Sequence, residues 1–224
     1  MATINLFGAS GHAKVVVDII AAQGDEVGCL YDDNPHSSDV YGRPVLKAEM
    51  DDVEGPMIIS IGSCQVRKLI AERYTHLKFA TAIHPKSIIS NTATIGEGTV
   101  VMPGAIVNPD VKIGKHCIIN TKASVDHECH IGDFVHIAPG ATLSGNVEVG
   151  ECSWIGVGAC VKQGIKIGKN CMIGAGAVVV KDIPDNSTAY GNPARIKLLN
   201  HNMQYNSELI RGGGKTLPFH YLAA

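Results

Sequence analysis

Aromatic side chains are scarce: they make up 5% of 224 residues, with a single tryptophan. The chain therefore offers no stacking surface of the kind that binds single-stranded nucleic acid. Positive charge is not concentrated either. Nineteen Lys and Arg stand against 21 Asp and Glu, a net charge of −2 with no basic block, so nucleic acid is not the expected partner. No uninterrupted apolar run reaches 18 residues, and the first residues run straight into a strand-like segment. Neither a membrane span nor a signal peptide is expected, and the chain reads as cytoplasmic. The seven cysteines (Cys29, Cys64, Cys117, Cys129, Cys152, Cys160, Cys171) show no C-x-x-C spacing and read as reduced, mostly buried thiols.

What the chain does have is a period of six. From Ile83 to Val179 every sixth residue is Ile, Val or Leu. Chance would give such a run less than about once in ten million tries, and the period fits neither a helix nor an ordinary strand, so it signals a repeat architecture. It predicts a triangular parallel β-helix, a prism with one hexapeptide per face and three per coil. Glycine follows the aliphatic at Gly96, Gly114, Gly132, Gly150 and Gly168, a spacing of 18 that marks one corner of each coil. The expected reason is positive φ at a tight bend. Small residues four places after the aliphatics, such as Ala105, Cys117, Ala123, Cys129, Ala159 and Ala177, suit a narrow interior.

Residues 1–80 keep a different rhythm. Strands over Ile4–Phe7, Val27–Tyr31 and Met57–Ile61, a short fourth over Leu77–Ala80, and helices over Ala13–Ala22 and Gln65–Tyr74 predict a small open parallel sheet of βαβ units. The expected organisation is a Rossmann-like βαβ domain over 1–80, a β-helix domain over 81–196, and a C-terminal segment over 197–224. Within that last part, residues 196–210 are expected to form a short helix before Gly212-Gly213-Gly214.

Two constellations carry chemistry. Gly8-Ala9-Ser10-Gly11-His12 joins the first strand to the first helix, where backbone N–H groups and glycines make a ready anion site. Asp32 and Asp33 end the second strand, and Gly62-Ser63 ends the third on the same edge. The spacing G-x-x-G is not a full dinucleotide fingerprint, so an NAD site is not expected. The second constellation is Asp126-His127-Glu128-Cys129-His130, with His136 beyond it. A histidine beside a carboxylate suits general-base work near neutral pH. His127 and His136 are half a coil apart and lie on different faces, so they can meet only across a subunit boundary. No carboxylate ligand pattern accompanies the histidines, and no metal is expected.

The strand-Gly-Ala-Ser-Gly-His-Ala-Lys segment, the prism, Val125-Asp126-His127-Glu128 and the closing Tyr190-Gly191-Asn192-Pro193-Ala194-Arg195 together resemble hexapeptide-repeat acyltransferases of the sialic acid O-acetyltransferase type. In particular they resemble nucleotide-aminosugar N-acetyltransferases of the UDP-N-acetylbacillosamine pathway. The resemblance covers about residues 3–196. It implies a left-handed β-helix, an exception to the right-handed crossover rule, in a homotrimer with active sites between neighbouring prisms. It further implies His127 as the base, Glu128 as the carboxylate that orients it, and His136 at the thioester carbonyl of acetyl-CoA. The pantetheine arm would run near the backbone of Gly145, Ala159 and Ala177. Gly8, Ser10, Gly11 and His12 would form the nucleotide-sugar phosphate loop, with Asp32 and Asp33 as the nucleoside pair and Gly62 beside them. The chain departs from the family pattern at Ser63-Cys64, where the family often has Asn or Asp after the glycine.

The expected activity is acetyl-CoA-dependent N-acetylation of a nucleotide-linked aminosugar, with UDP the expected nucleotide, in surface-glycan synthesis, with acetyl-CoA as co-substrate and no bound cofactor. The alternatives are a sugar or sialic acid O-acetyltransferase, a non-enzymatic sugar-nucleotide-binding protein, and a zinc hydratase on the same prism. The nucleotide pocket favours the first reading, because free sialic acid has no diphosphate to hold.

Overall fold

A computed structural model describes residues 1–199 apart from residue 52. Three parallel sheets of two-residue strands close the prism. The first face begins at Ala82–Ile83 and returns at Val100–Val101, Ile118–Ile119, His136–Ile137, Trp154–Ile155 and Met172–Ile173. The second runs from Ile88–Ile89 to Val178–Val179, and the third from Thr94–Ile95 to Lys166–Ile167. From Ala82 to Val179 every pairing joins a residue to the one 18 further on, as Ile119 to Ile137, Val125 to Leu143 and Ile131 to Val149. The six-residue aliphatics stack inside as one continuous core with Ala105, Cys117, Ala123, Cys129, Ala159 and Ala177. Buried polar atoms in this core are satisfied. Thr99 Oγ1 and Ser153 Oγ donate to the Gly114 and Gly168 carbonyls at 2.9 and 2.7 Å, and each accepts the N–H of the coil above.

The glycine column has a different cause from the expected one. Gly96, Gly114, Gly132, Gly150 and Gly168 do not have positive φ. A Cβ on Gly150 would lie 2.6 Å from the backbone of Gly168 and Lys169, and one on Gly96 equally close to Gly114. Glycine is needed there for coil-to-coil approach. The left-handed bend falls instead three residues after each aliphatic from Ile95 to Ile173. It is held by Gly98, Gly104, Gly140, Gly158, Gly164 and Gly176, and also by Asp110, His116, Lys122, Glu128, Phe134, Asn146, Cys152 and Asn170, with φ between +52° and +72°. Because that position accepts non-glycine residues, its period was invisible in composition.

The N-terminal sheet contains β1 (Thr3–Phe7), β2 (Glu26–Asp32), β3 (Asp39–Val40), β4 (Arg43–Lys47) and β5 (Met57–Ile59), with helices α1 (Gly11–Ala22) and α2 (Cys64–Arg73). Its order is β3-β4-β2-β1-β5. Strands β3 and β4 were not expected; they are short, mostly exposed and interrupted by Pro44, so their apolar alternation is weak. The expected strand over Leu77–Ala80 is only a single bridge from Phe79 to Met57. Helix α1 turns Val16, Ile19 and Ile20 into a cluster that also holds Ala82, Val100, Met102 and Ile118 from the outside of the first face. The N-terminal domain is thus seated on that face through a shared apolar core.

At the other end, Ser187–Tyr190 continues the first face and Arg195–Leu199 pairs antiparallel with it. The short helix expected over 196–210 is therefore corrected to strand as far as Leu199, where capping the open end of the sheet supplies the hydrogen bonds; the rest of that segment lies outside the described residues. All seven cysteines are free thiols. Among the described residues no helix is long and apolar enough to cross a membrane.

The glycine column gives a direct test. Gly150→Ala should lower stability by about 1–3 kcal/mol through overpacking, whereas Asn146→Gly, at a left-handed bend, should cost far less. Urea unfolding compares the two; an unchanged midpoint for Gly150→Ala would show that the coils are not in contact there.

Candidate active site

The seam between the domains is built around one buried cation. Arg67 is 1% exposed, and its guanidinium donates to the carbonyls of Ile61 (2.9 Å) and Gly62 (2.7 Å) in the N-terminal domain and of His116 (2.9 Å) and Phe134 (2.7 Å) in the prism. Among the described residues no carboxylate pairs with it. The charge is held by carbonyl dipoles from both domains, a geometry that the rigid fork of arginine suits and lysine does not. Cys64, Arg67 and Ile70 form the buried stripe of α2, so a cation at i+3 within an apolar stripe was the available signal. Lys68 adds an ion pair to Glu151 at 2.6 Å.

Three histidines surround this charge. His136, on the outside of the first face, is buried; Asn120 Nδ2 donates into its Nε2 at 2.9 Å, which leaves Nδ1–H to donate to the Gly62 carbonyl at 3.3 Å. Trp154 lies 4.0 Å from its ring and His12 lies 6.5 Å away. His116 is sandwiched between Phe134, stacked at 5.1 Å, and the edge of Phe79 at 4.6 Å. Burial, reinforced by Arg67, holds His12 and His116 down at about 4 and His136 at about 3. All three are neutral at pH 7. His12 Nε2 is buried with no hydrogen-bond partner among the described residues, a donor or acceptor left open beside the Gly8–His12 loop.

That loop has the geometry of an anion cradle. Gly8 has φ +107°, and a Cβ there would strike Ile61 Cγ1 at 2.7 Å, so only glycine passes. Ser10 caps α1 without a side-chain bond to it, which leaves first-turn N–H groups open, and nothing stands within 4 Å of a Cβ on Gly11 or Gly62. Asp32 accepts from the N–H groups of Ala9 and Asn34, both at 2.9 Å, and so ties the loop to the end of β2. Burial pushes the Asp33 carboxyl up, with Arg73 opposing and Asp32 adding to the rise.

The second constellation sits at the corner between the second and third faces. His127 is 49% exposed, and its Nδ1 donates to Glu128 Oε2 at 3.0 Å, leaving the Nε2 lone pair free. Its ring lies over Gly145, where a Cβ would come within 2.5 Å. Gly145 is thus a seat for the imidazole. The structure does not bring His127 and His136 together within one chain, since His136 faces the seam. Ala159 and Ala177 are wholly buried inside the prism, near the corner between the first and second faces, so only their backbones are available to a ligand. Among the described residues no cluster fit to hold a metal ion is found. Asn120, Trp154 and Arg67, which line the seam, are residues that sequence reasoning missed.

The PglD N-terminal domain model matches residues 3–74, and the bacterial transferase hexapeptide model matches 92–127, 110–145 and 146–181. The acetyltransferase domain of PglB from Neisseria gonorrhoeae superposes with a TM-score of 0.82 at 38% identity, over 88% of this chain and all of that one. PerB from Caulobacter crescentus, solved with CoA and GDP-perosamine, gives 0.83 at 36% identity over 88% and 98%. The UDP-N-acetylbacillosamine N-acetyltransferase of Bacillus subtilis is 42% identical over 110 residues, 45% of this chain, and that match spans about half (51%) of its length. The chain belongs to this family of hexapeptide-repeat acetyltransferases with a PglD-type N-terminal domain, and its prism is the family's left-handed β-helix.

The buried histidines predict a pH dependence of stability. Each has a folded-state value below the 6.5 of an exposed imidazole, so the unfolded chain takes up protons that the folded chain refuses. Stability present above about pH 6.5 should fall as pH drops toward about 4 and 3. Urea unfolding at pH 7, 6 and 5 checks this; a flat profile would mean the histidines are not buried as described. Arg67→Met, which strands four carbonyls, should cost about 3 kcal/mol.

Proposed function

We propose that this chain transfers an acetyl group from acetyl-CoA to the amino group of a nucleotide-linked aminosugar. The observation that carries the reading is the His127–Glu128 pair, exposed on a prism corner with Nε2 free, in a chain whose relatives are N-acetyltransferases of such sugars. The α1 N-terminus, where Ser10 makes no side-chain capping bond, with Gly8 before it and Gly11 as its first residue, supplies the diphosphate cradle. The open Nε2 of His12 and the carboxyl of Asp33 stand beside it for phosphate and nucleoside.

Chemically the task is modest. A neutral amine attacks the thioester carbonyl, a tetrahedral oxyanion forms, and CoA leaves as thiolate. As the C–N bond forms, the nitrogen becomes acidic and His127 Nε2 takes its proton. Glu128, bonded to Nδ1, fixes the tautomer and balances the imidazolium. His136 would act at the thioester carbonyl. Its Nδ1–H is engaged by Gly62 and its Nε2 by Asn120, so reaching the thioester requires one of these bonds to yield to the ligand. Because His127 and His136 stand on different faces, a complete site needs His127 of one copy beside the nucleotide loop and His136 of another. A homotrimer meets that need. The second face carries outward Ile88, Ile106, Ser124, Thr142, Cys160 and Val178, with no charge among them, and suits prism-to-prism packing.

Steady-state kinetics with acetyl-CoA and a panel of UDP-, GDP- and dTDP-aminosugars tests the reading. His127→Ala should lower kcat by about 10²–10⁴-fold with little change in the KM of acetyl-CoA; activity within about threefold of wild type would rule this histidine out as the base. Gly11→Trp should raise the sugar-nucleotide KM and leave acetyl-CoA use intact. Light scattering should give a trimer mass, and a monomer would remove the intersubunit site.

A further inference from the structure

The exposed His127–Glu128 pair cannot hold its own geometry. Both side chains stand about half in water, and an ion pair of that kind fixes little. What fixes the imidazole is the backbone beneath it. His127 N–H donates to Asp126 Oδ1 at 2.8 Å. The same oxygen accepts from Asn108 Nδ2, one coil below, at 2.8 Å. The Glu128 N–H is held by the Pro109 carbonyl at 3.0 Å, and the His127 carbonyl accepts from Asn146 N–H at 2.8 Å. Glu128 itself sits at φ +59°, a bend that costs a non-glycine residue energy unless its surroundings hold it.

Corner N–H groups of this kind need a side-chain acceptor, because the coil ladder passes them by. Lys115 and Lys169 find theirs in Asp133 and Asp185 of the next coil, each at 2.8 Å. At His127 the acceptor is the preceding residue, Asp126, and Asn108 braces that carboxylate from below. The hydrogen bonds from His127 N–H and Asn108 hold the Asp126 carboxyl below the usual carboxylate range, so it remains an acceptor for both. Gly145 then supplies the empty seat against which the ring rests.

We infer that Asn108 and Asp126 are positioning residues for the catalytic imidazole: the Asn108–Asp126–His127 chain of hydrogen bonds sets the direction in which Nε2 meets the acceptor amine. This rests on His127 being the base. No atom of either residue need touch the substrate, and the effect belongs to kcat, since misplacing a catalytic group by about an ångström costs up to about 100-fold in rate.

The test is a double-mutant cycle on the full-length protein, with His127→Ala run beside it. Asn108→Ala and Asp126→Ala should each lower kcat by about 10–100-fold with KM for acetyl-CoA and sugar nucleotide within about twofold. The double variant should be no slower than Asp126→Ala, because both act through one chain of bonds. Asp126→Asn keeps an acceptor oxygen for both bonds and should restore activity to within about threefold of wild type. Single variants within twofold of wild type, additive losses, a loss in KM, or an Asp126→Asn variant as slow as Asp126→Ala would each overturn the assignment. If Asp126→Ala unfolds, Asp126→Asn and Asn108→Ala, checked by circular dichroism and light scattering, still decide it. A His127→Ala enzyme near wild-type rate would instead overturn the base itself; a slow His127→Ala beside a fast Asn108→Ala would overturn only the brace.

Discussion

Everything in the prism depends on a register of 18 residues. Because each strand is two residues long, no strand has enough hydrogen bonds to set its own alignment. Alignment comes from stacking: one aliphatic over another on each face, one small residue over another at each interior corner, and one glycine over another where the coils approach most closely. A single inserted residue would turn an inward aliphatic outward and shift every later column with it. The site inherits this constraint directly. His127 rests on Gly145 and Asp126 is braced by Asn108, each 18 residues apart, so the coil repeat that builds the core also fixes the geometry of the corner.

The second dependency is the Arg67 seam. A buried guanidinium without a carboxylate is costly unless every N–H finds an acceptor. Here the acceptors come half from the loop after β5 and half from two prism turns, so the charge is satisfied only when the domains are docked. The same charge lowers the affinity of His12, His116 and His136 for protons. One residue therefore joins the domains and adds to the burial that keeps these ring nitrogens neutral and able to act as donors or acceptors.

The prism was legible because its signal is repeated many times over: each aliphatic was a separate witness to the period of six. The strand–turn–helix around Gly8 and the His127–Glu128 pair were legible for another reason, since each is a short motif whose chemistry depends on adjacent residues. What escaped was nonlocal or carried by permissive positions. Asp126 was in view beside His127, but its partner Asn108, 18 residues away, looks like an ordinary loop residue until the coils are stacked. Arg67 looks like a solvent-facing helix residue until the prism is placed against it. Strands β3 and β4 carry few buried side chains, and the left-handed bends accept Asp, His, Lys, Glu, Phe, Asn and Cys as well as glycine, so no compositional pattern announced them. The column that did look like bends was a packing column, because glycine answers two different needs with one letter.

That split explains the placement of the chemistry. The repeat fixes a corner residue with high precision but leaves it exposed, with its ring free on one side. The seam does the opposite: it buries His136 between Asn120, Gly62 and Trp154 and leaves His12 Nε2 open at the edge. A base that must meet an incoming amine belongs at the exposed corner, and a group that must recognise a ligand without competing water belongs at the seam. On one chain these two kinds of environment lie on different faces. Only a neighbour's corner, brought beside the seam, would combine a free base with a dry recognition surface, and the uncharged second face between them is where such a neighbour would fit.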